Sequence, residues 1–422
     1  MKPISNRGFR RLKRVEVARR LLLDFVGDEG IPRVESVEVE NCVGRILAQR
    51  VSARRYLPPF DLAIVDGYAV RSHDLRQASS KHPAVLRVVG ESRLGEECRL
   101  RIRKGQAVVV ATGSMVPNGS DAVVMVEHAR TLPENRVAFR SPISPWQGIT
   151  RKGEDVQPGK VVLDRAIRIR PEDIGALKAL GLTSVRVVRK VRVGVLSTGN
   201  ELVNSPRKES RAKIVDLNRP ILSEMLRQLG AEPVDMGIVK DDERAIKAAL
   251  KSGLAKTDMV IVTAGSSVGK RDLVPNCINS LGKPGMLVHG VAMRPAMPTG
   301  LAVVRGKPVV SLPGFPVSAM IAFRAFVRPL LAKLVGAPEP LEPIVNATLR
   351  TRIIGSPNHR TFVRVRVKRV KDGYVAVPLR AQRASLLTSM VNANGIVIVP
   401  ESVTAIDAGT EVSVALTGDL AT

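Results

Sequence analysis

The stretch that most limits what this chain can fold into is TDMVIVTAGSSVGKRD, Thr257 to Asp272. Asp258-Met259-Val260-Ile261-Val262 is a mostly apolar, β-branched run with no polar alternation, so it predicts a short buried strand. It runs into a small, hydroxylated, glycine-bearing loop, Thr263 to Gly269, where backbone N–H groups could approach an anion closely. Lys270, Arg271 and Asp272 follow at the loop's mouth. The same strand-then-polar-loop pattern occurs twice upstream. Val191 to Leu196 leads into Ser197-Thr198-Gly199-Asn200-Glu201, and Pro233 to Val239 leads into Lys240-Asp241-Asp242-Glu243. Between them, Arg219 to Leu229 has helical apolar spacing with Pro220 near its start and Gly230 at its end, and Ala245 to Leu254 reads the same way. Strands alternating with helices predict a parallel sheet covered on both faces, with ligands beyond the carboxyl ends of its strands. That rule gathers Glu201, Asp241, Asp242 and Asp272 at one rim. Downstream, strands over 301–304 and 309–312 reach Pro313-Gly314-Phe315-Pro316, which launches a long helix over 317–334. The start of that helix is suited to an anion.

The rest of the chain divides around this unit. At 422 residues it is too long for one core. A helix is expected over 15–25, then a strand over 35–47 with a turn at Val43-Gly44. The helix over 171–180 would pack with the first. Residues 84–139 show short strands and turns, and Asp66-Gly67 reads as a turn before the strand Tyr68 to Arg71. From Ile344 onward, alternation such as Thr361 to Val367 gives half-buried strands whose Arg and Lys fall on the exposed phase. The expectation is a multidomain α/β plus β chain. Residues 1–52 and 148–190 form a discontinuous N-terminal or linker domain, 53–147 an inserted small β domain, 191–338 the central parallel-sheet α/β domain and 339–422 a C-terminal β domain.

Lys and Arg number 66 against 39 Asp and Glu, a net charge of +27. Such a surface suits either nucleic acid or a small anionic substrate, in the latter case with the ion-paired surface of a thermophile. Three Tyr, one Trp and eight Phe supply few stacking platforms, which favours the small anion and makes nucleic acid unlikely as a partner. The three cysteines and five histidines are scattered, so a metal here would take oxygen ligands, as Mg²⁺ does. No apolar run approaches the ~20 residues of a membrane helix and the first residues lack a signal-peptide core, so no membrane association and a cytoplasmic location are expected.

Eight motifs in order, PPFDLAIVDGYAVR, ATGSMVPNGSDAVV, KGEDV, GVLSTGNELV, KIVDLN, GSSVGKRD, HGVAMRPAMP and LPGFPVSA, resemble the molybdopterin molybdenumtransferases of molybdenum cofactor biosynthesis. The resemblance implies that the central unit is a molybdopterin-binding domain. It implies adenylylated molybdopterin as substrate, molybdate or tungstate as the substrate oxyanion, and Mg²⁺ as the ion with which AMP is released. It also implies a homodimer whose site lies between the central domain of one subunit and the β domain of the other, and transient contact with molybdoenzymes or other cofactor-biosynthesis proteins. By the same resemblance Asp66, Glu201, Asp241 and Asp272 would be catalytic. Glu201, Asp241 and Asp272 would hold the metal, and Thr112, Ser266, Gly269, Lys270, Arg294, Pro313 and Pro316 would bind substrate. The chain departs from the family pattern at Leu62 to Val65, at Ala264 to Ser267 and at Ala296-Met297. These departures leave room for a changed metal preference or an impaired paralogue that binds pterin or nucleic acid. A shorter relative that adenylylates molybdopterin is the other alternative.

Overall fold

A computed structural model describes residues 12–26, 33–205, 212–264, 273–380 and 382–420. At its centre is a six-stranded sheet in the order Glu232–Val239, Arg192–Thr198, Met259–Ala264, Lys307–Pro313, Gly300–Val304, Pro284–His289. The first four strands are parallel, Gly300–Val304 runs antiparallel to them, and Pro284–His289, antiparallel to Gly300–Val304, runs in the direction of the first four. The sheet is therefore mixed where strand–helix alternation predicts a wholly parallel one. The cause is local: Arg305 and Gly306 both take left-handed backbone, φ 50° and 78°, and join Gly300–Val304 to Lys307–Pro313 by a two-residue hairpin.

Successive side chains on these strands point to opposite faces. Val193, Val195, Ile261 and Val310 enter one core, with Leu222 and Leu226 of the helix Asn218–Gln228. Leu196, Val260, Val262 and Val309 enter the other, with Ile246 and Leu250 of Glu243–Lys256 and Ile278 of Leu273–Leu281. Each fully buried side chain of this size contributes roughly 1.5–3 kcal/mol, which is why the strands carry no polar alternation.

The helix Val15–Phe25 forms where expected, but it does not pack with the helix Pro171–Ala179. Its stripe Val15, Ala18 and Leu22 lies in the central core with Phe323, Phe326 and Leu330. Pro171–Ala179 belongs to a separate cluster with Val39, Leu47, Val51 and Val187. The strand expected over 35–47 is shorter, Val34–Glu38, because a 3₁₀ turn follows at Val39–Asn41 and Gly44 takes φ 76°. The helix expected over 317–334 is broken into Pro316–Ala322, a π-helical turn Phe323–Val327, and Arg328–Leu334. Pro329 has no N–H for an α-helical bond to residue 325, and the wider turn absorbs the mismatch.

The inserted β region is a six-stranded sheet, ordered Ala122–Met125, Gly67–Val70, Gln106–Val110, Ala84–Ser92, Arg136–Phe139, Ala129–Leu132. At the C-terminal end, Arg360–Val370 pairs with both Gly373–Pro378 and Gly395–Val399. The ladder returns through Glu411–Leu416 and Ile344–Leu349, closing a five-stranded barrel. The short strand Met293–Arg294 of the central unit adds to this barrel beside Arg360 and Thr361.

One barrel cation contradicts the expected exposed phase. Arg364 is fully buried, and among the described residues no hydrogen-bond partner faces its guanidinium. Val363, Val365 and Val367 fill the barrel, so Arg364 does sit on the outer phase. The segment after Pro378 runs beside this residue: Gln382 brackets the Arg364 backbone, accepting from its N–H at 3.1 Å and donating to its C=O at 2.8 Å. Burial pushes the guanidinium pKa down. Among the described residues no helix is long and apolar enough to cross a membrane.

Close approach of helix Glu243–Lys256 to the sheet depends on Gly253. A Cβ there would lie 2.4 Å from Met236 Cε and 2.8 Å from its sulfur. Because the atoms met first are the flexible end of half-buried Met236, with Val260 Cγ2 next at 3.1 Å, Gly253→Ala should leave stability within about 1 kcal/mol of the parent, the ~1 kcal/mol helix-propensity gain offsetting the shift of the Met236 side chain. In urea unfolding the same substitution made in a Met236→Ala background should be stabilising.

Candidate functional site

The four parallel strands end nearly level. Thr198 is in register with Val239, Ser197 with Thr263, and Ala264 with Pro313. From the strand Arg192–Thr198 the chain moves first to Glu232–Val239 on one side and then to Met259–Ala264 on the other. The crevice between the diverging connections is where open α/β sheets bind ligands. A cavity of about 410 Å³ opens there. Thr198, Thr263, Glu201, Asp216 and Asn218 supply its polar lining, and Leu202, Ile214, Val215, Leu217 and Phe315 an apolar wall. Gly314 and Pro316 form one edge, and Ser385 and Leu387 reach it from the C-terminal region.

Glu201 is held by its backbone. Its C=O accepts from Ile214 N–H at 2.8 Å, and the following Leu202–Val203 pairs in parallel with Ile214–Val215. Its carboxylate folds over Gly199, where a Cβ would lie 2.8 Å from both oxygens. The Asp241 loop is tied to the same place. Asn200 N–H donates to an Asp241 carboxylate oxygen at 3.4 Å, and Asp241 N–H donates to Asn200 Oδ1 at 3.2 Å. Two carboxylates thus stand on cross-linked loops, and hard oxygen donors of this kind suit Mg²⁺. Asp242 has a different task, capping the helix Glu243–Lys256 by accepting from Ala245 N–H at 2.8 Å. Asp272, Ser266, Gly269 and Lys270 lie outside the described residues. Among the described residues no three His, Cys, Asp or Glu side chains gather closely enough to hold a metal ion.

Pro313 is buried at the end of its strand, and Pro316 begins the helix Pro316–Ala322. Arg294 is exposed on the short strand that joins the barrel and does not line the cavity. Two residues on, Ala296 is held at φ 86°, a left-handed conformation that glycine takes more easily.

Asp66 and Thr112 form a second group, on the inserted sheet. Thr112 N–H donates to Asp66 Oδ1 at 2.6 Å, and both residues are exposed. The donated hydrogen bonds from Thr112, backbone first and then hydroxyl, hold the Asp66 pKa below the usual carboxylate value. Gly67 is not a turn glycine; it opens the strand Gly67–Val70, and a Cβ there would meet the Val124 carbonyl oxygen at 1.9 Å. Among the residues that depart from the family pattern nearby, Ala63 is buried and Ile64 is exposed.

Sequence reading gave no role to Asp216, Asn218, Ser385, Leu387 or the apolar wall. KIVDLN was visible as a motif, but the order of its contacts was not; for Ser385 and Leu387 no signal exists, because they come from a distant part of the chain. A larger space of about 640 Å³ lies beside Arg324, Arg328 and Glu342. Its arginines are already matched, Arg324 pairing with Glu342 at 2.8 Å and Arg328 with Glu339 and Glu342.

Gly199→Ala should move the Glu201 carboxylate and also lower thermal stability, by about 1–3 kcal/mol, because Gly199 holds φ 159°, a backbone conformation that residues with a Cβ rarely adopt. A crystal structure of the variant, with its melting temperature, checks this. Asp66 should titrate below the ordinary ~3.9 of an aspartate. The Thr112 bonds favour the folded state above the unfolded pKa, and that contribution disappears as pH falls through the lowered folded value. In a carboxylate-resolved NMR titration, Thr112→Val should raise the Asp66 pKa, since it removes the hydroxyl bond.

Residues 13–181 match the MoeA N-terminal region (domain I and II), 194–333 the probable molybdopterin binding domain, and 346–417 the MoeA C-terminal region (domain IV). The molybdopterin molybdenumtransferase of Bacillus subtilis (strain 168) is 32% identical over 402 residues, covering 92% of this chain and 93% of that protein. Molybdopterin molybdenumtransferase 2 of Mycobacterium tuberculosis is 33% identical over 383 residues, covering 90% and 94%. A crystal structure of the molybdopterin biosynthesis MoeA protein from Pyrococcus horikosii superimposes with a TM-score of 0.82 at 33% identity, covering 97% of this chain and 100% of that one. With the paired carboxylates at the switch point of a molybdopterin-binding domain, these likenesses place the chain in the molybdopterin molybdenumtransferase (MoeA) family, transferases of molybdenum cofactor biosynthesis.

Proposed function

We propose that this chain inserts molybdenum from molybdate, or tungsten from tungstate, into adenylylated molybdopterin with Mg²⁺-dependent release of AMP. The observation that supports this most is the Glu201 and Asp241 pair on cross-linked loops beside the 410 Å³ switch-point cavity. Glu201, Asp241 and Asp272 would hold Mg²⁺, which when bound offsets the charge of the substrate's phosphates. Ser266, Gly269 and Lys270 belong to the loop that would take those phosphates, and Pro316 at the cavity edge, with Arg294 and Pro313 outside its lining, would also bind substrate. The apolar wall formed by Leu202, Ile214 and Phe315 would offer a flat ring a surface to lie on.

The Asp66 and Thr112 pair is exposed on a different sheet from Glu201. We place it in the site of a second copy, so that the working protein is a homodimer and each cavity is completed by its partner. The net charge of +27 concentrates anionic substrates around every such site. A cytoplasmic location, and hand-over of the product to molybdoenzymes or other cofactor-biosynthesis proteins, complete the proposal.

Single-turnover incubation with adenylyl-molybdopterin, Mg²⁺ and either oxyanion, followed by AMP release, tests it. Oxyanion-dependent AMP release is expected, and the faster oxyanion identifies the preferred metal. Glu201→Gln and Asp272→Asn should each slow the step at least ~100-fold while leaving the melting temperature near that of the parent. Wild-type rates in both variants would remove these carboxylates from the reaction, and binding without AMP release under either oxyanion would overturn the insertion reading.

A further inference from the structure

Arg219 is a buried cation that the site description leaves unused. It is 9% exposed, and its guanidinium meets three different segments. Nε donates to Asp216 at 2.6 Å, one terminal nitrogen donates to Asp235, and the other donates to Asn204 Oδ1. Asp216 is itself 5% exposed and also accepts from the N–H groups of Asn218 at 3.1 Å and Arg219 at 3.3 Å, so it caps the helix Asn218–Gln228. Asn218 then reaches across 96 residues of sequence and donates its side-chain amide to the Gly314 carbonyl at 2.8 Å.

These bonds connect the parts that shape the cavity. Asn204 directly follows the short strand Leu202–Val203 that comes after Glu201, and Asp216 N–H donates to Val203 C=O at 2.9 Å at the end of that ladder. Asp235 lies on the strand that leads to Asp241, and Gly314 is the cavity edge between Pro313 and Pro316. A planar fork with fixed donors can satisfy three acceptors at once, whereas a lysine ammonium on a flexible stem cannot hold them in one geometry. A buried, hydrogen-bonded charge of this kind also resists displacement, because each bond that breaks leaves a desolvated group behind.

We propose that Arg219 and Asn218 are positioning residues: Arg219 sets Glu201 through Asn204, and Asn218 sets the Gly314 edge. The proposal rests on the transferase reading above and adds two residues that act through others: Arg219 does not line the cavity, and Asn218, which does, acts through its bond to Gly314. It follows that the Asn204 contact needs only an acceptor. Asn204→Asp keeps that acceptor and should preserve the rate, whereas Asn204→Leu should slow it at least tenfold. Asn218→Asp removes the donor to Gly314 at nearly constant shape and should also slow it at least tenfold.

The experiment is single-turnover AMP release from adenylyl-molybdopterin with Mg²⁺ and molybdate, on the full chain, for the parent and the three variants. Melting temperatures and amide hydrogen exchange over 201–204 and 314–316 are measured on the same samples. Support consists of rate losses in Asn204→Leu and Asn218→Asp, with cooperative melting, faster exchange in those two segments, and a normal rate in Asn204→Asp. Unchanged rates in both losing variants would overturn the proposal. So would equal losses in Asn204→Asp and Asn204→Leu. If the parent itself releases no AMP, the transferase reading fails separately. The positioning claim is then decided by exchange alone, and unchanged protection over 201–204 and 314–316 overturns it.

Discussion

Four parallel strands that end level are the constraint on which this structure depends. Backbone hydrogen bonding fixes Thr198 opposite Val239 and Ala264 opposite Pro313, so the loops that follow start from one line. A slip of one residue in any of these ladders would turn a buried strand's faces inside out. The two hydrophobic cores forbid that, because Val193 and Val195 fit one set of helices and Leu196 fits the other. The placement of Glu201 beside Asp241 is thus inherited from packing far below the site, and the loops only add local bonds such as that between Asn200 and Asp241.

The central α/β unit was legible because its signals are local and repeated. A β-branched run followed by a small polar loop reports a strand and its functional end in a dozen residues, and the Val15–Phe25 helix follows from spacing alone. Glu201 and Asp241 were legible for the same reason, since each closes a strand. What the pattern could not give is the partner of each element. The stripe Val15, Ala18 and Leu22 says only that a helix buries one side; that it buries it against Phe323 and Phe326 is a matter of shape three hundred residues away. The hairpin at Arg305-Gly306 was missed because Arg at φ 50° is an uncommon occupant of a left-handed turn, so no Asn-Gly or Asp-Gly signal marked it.

Arg364 shows a different limit. Strand alternation assigned its side correctly, and that side is covered, so the rule that outward cations are solvated failed. The segment beside it is irregular and carries no periodicity to announce itself. That same segment, running from Gln382 through Ser385 and Leu387, brings the C-terminal region to the cavity. The residues least visible in the sequence are those at which separate folding units meet.

Those meetings carry charge pairs as well as the apolar contacts of Phe362 and Ile396 with the central core. Arg360 pairs with Glu16 of the first helix and with Glu401 of the barrel at 3.2 Å, while its strand receives Met293–Arg294 from the central unit. Across the connection to the barrel, Glu339 and Glu342 engage Arg19, Arg324 and Arg328. Arg328 and Arg324 are both pushed down in pKa by burial, yet their charge persists because guanidinium stays protonated far above neutral pH. Such pairs add little stability singly when exposed. Partly buried, they are directional, and each fixes an orientation that a greasy contact would leave free to slide. A barrel that lends Ser385 and Leu387 to a cavity built on another sheet needs that kind of fixation, and the excess of arginine supplies it while leaving many cations unpaired to draw in anions.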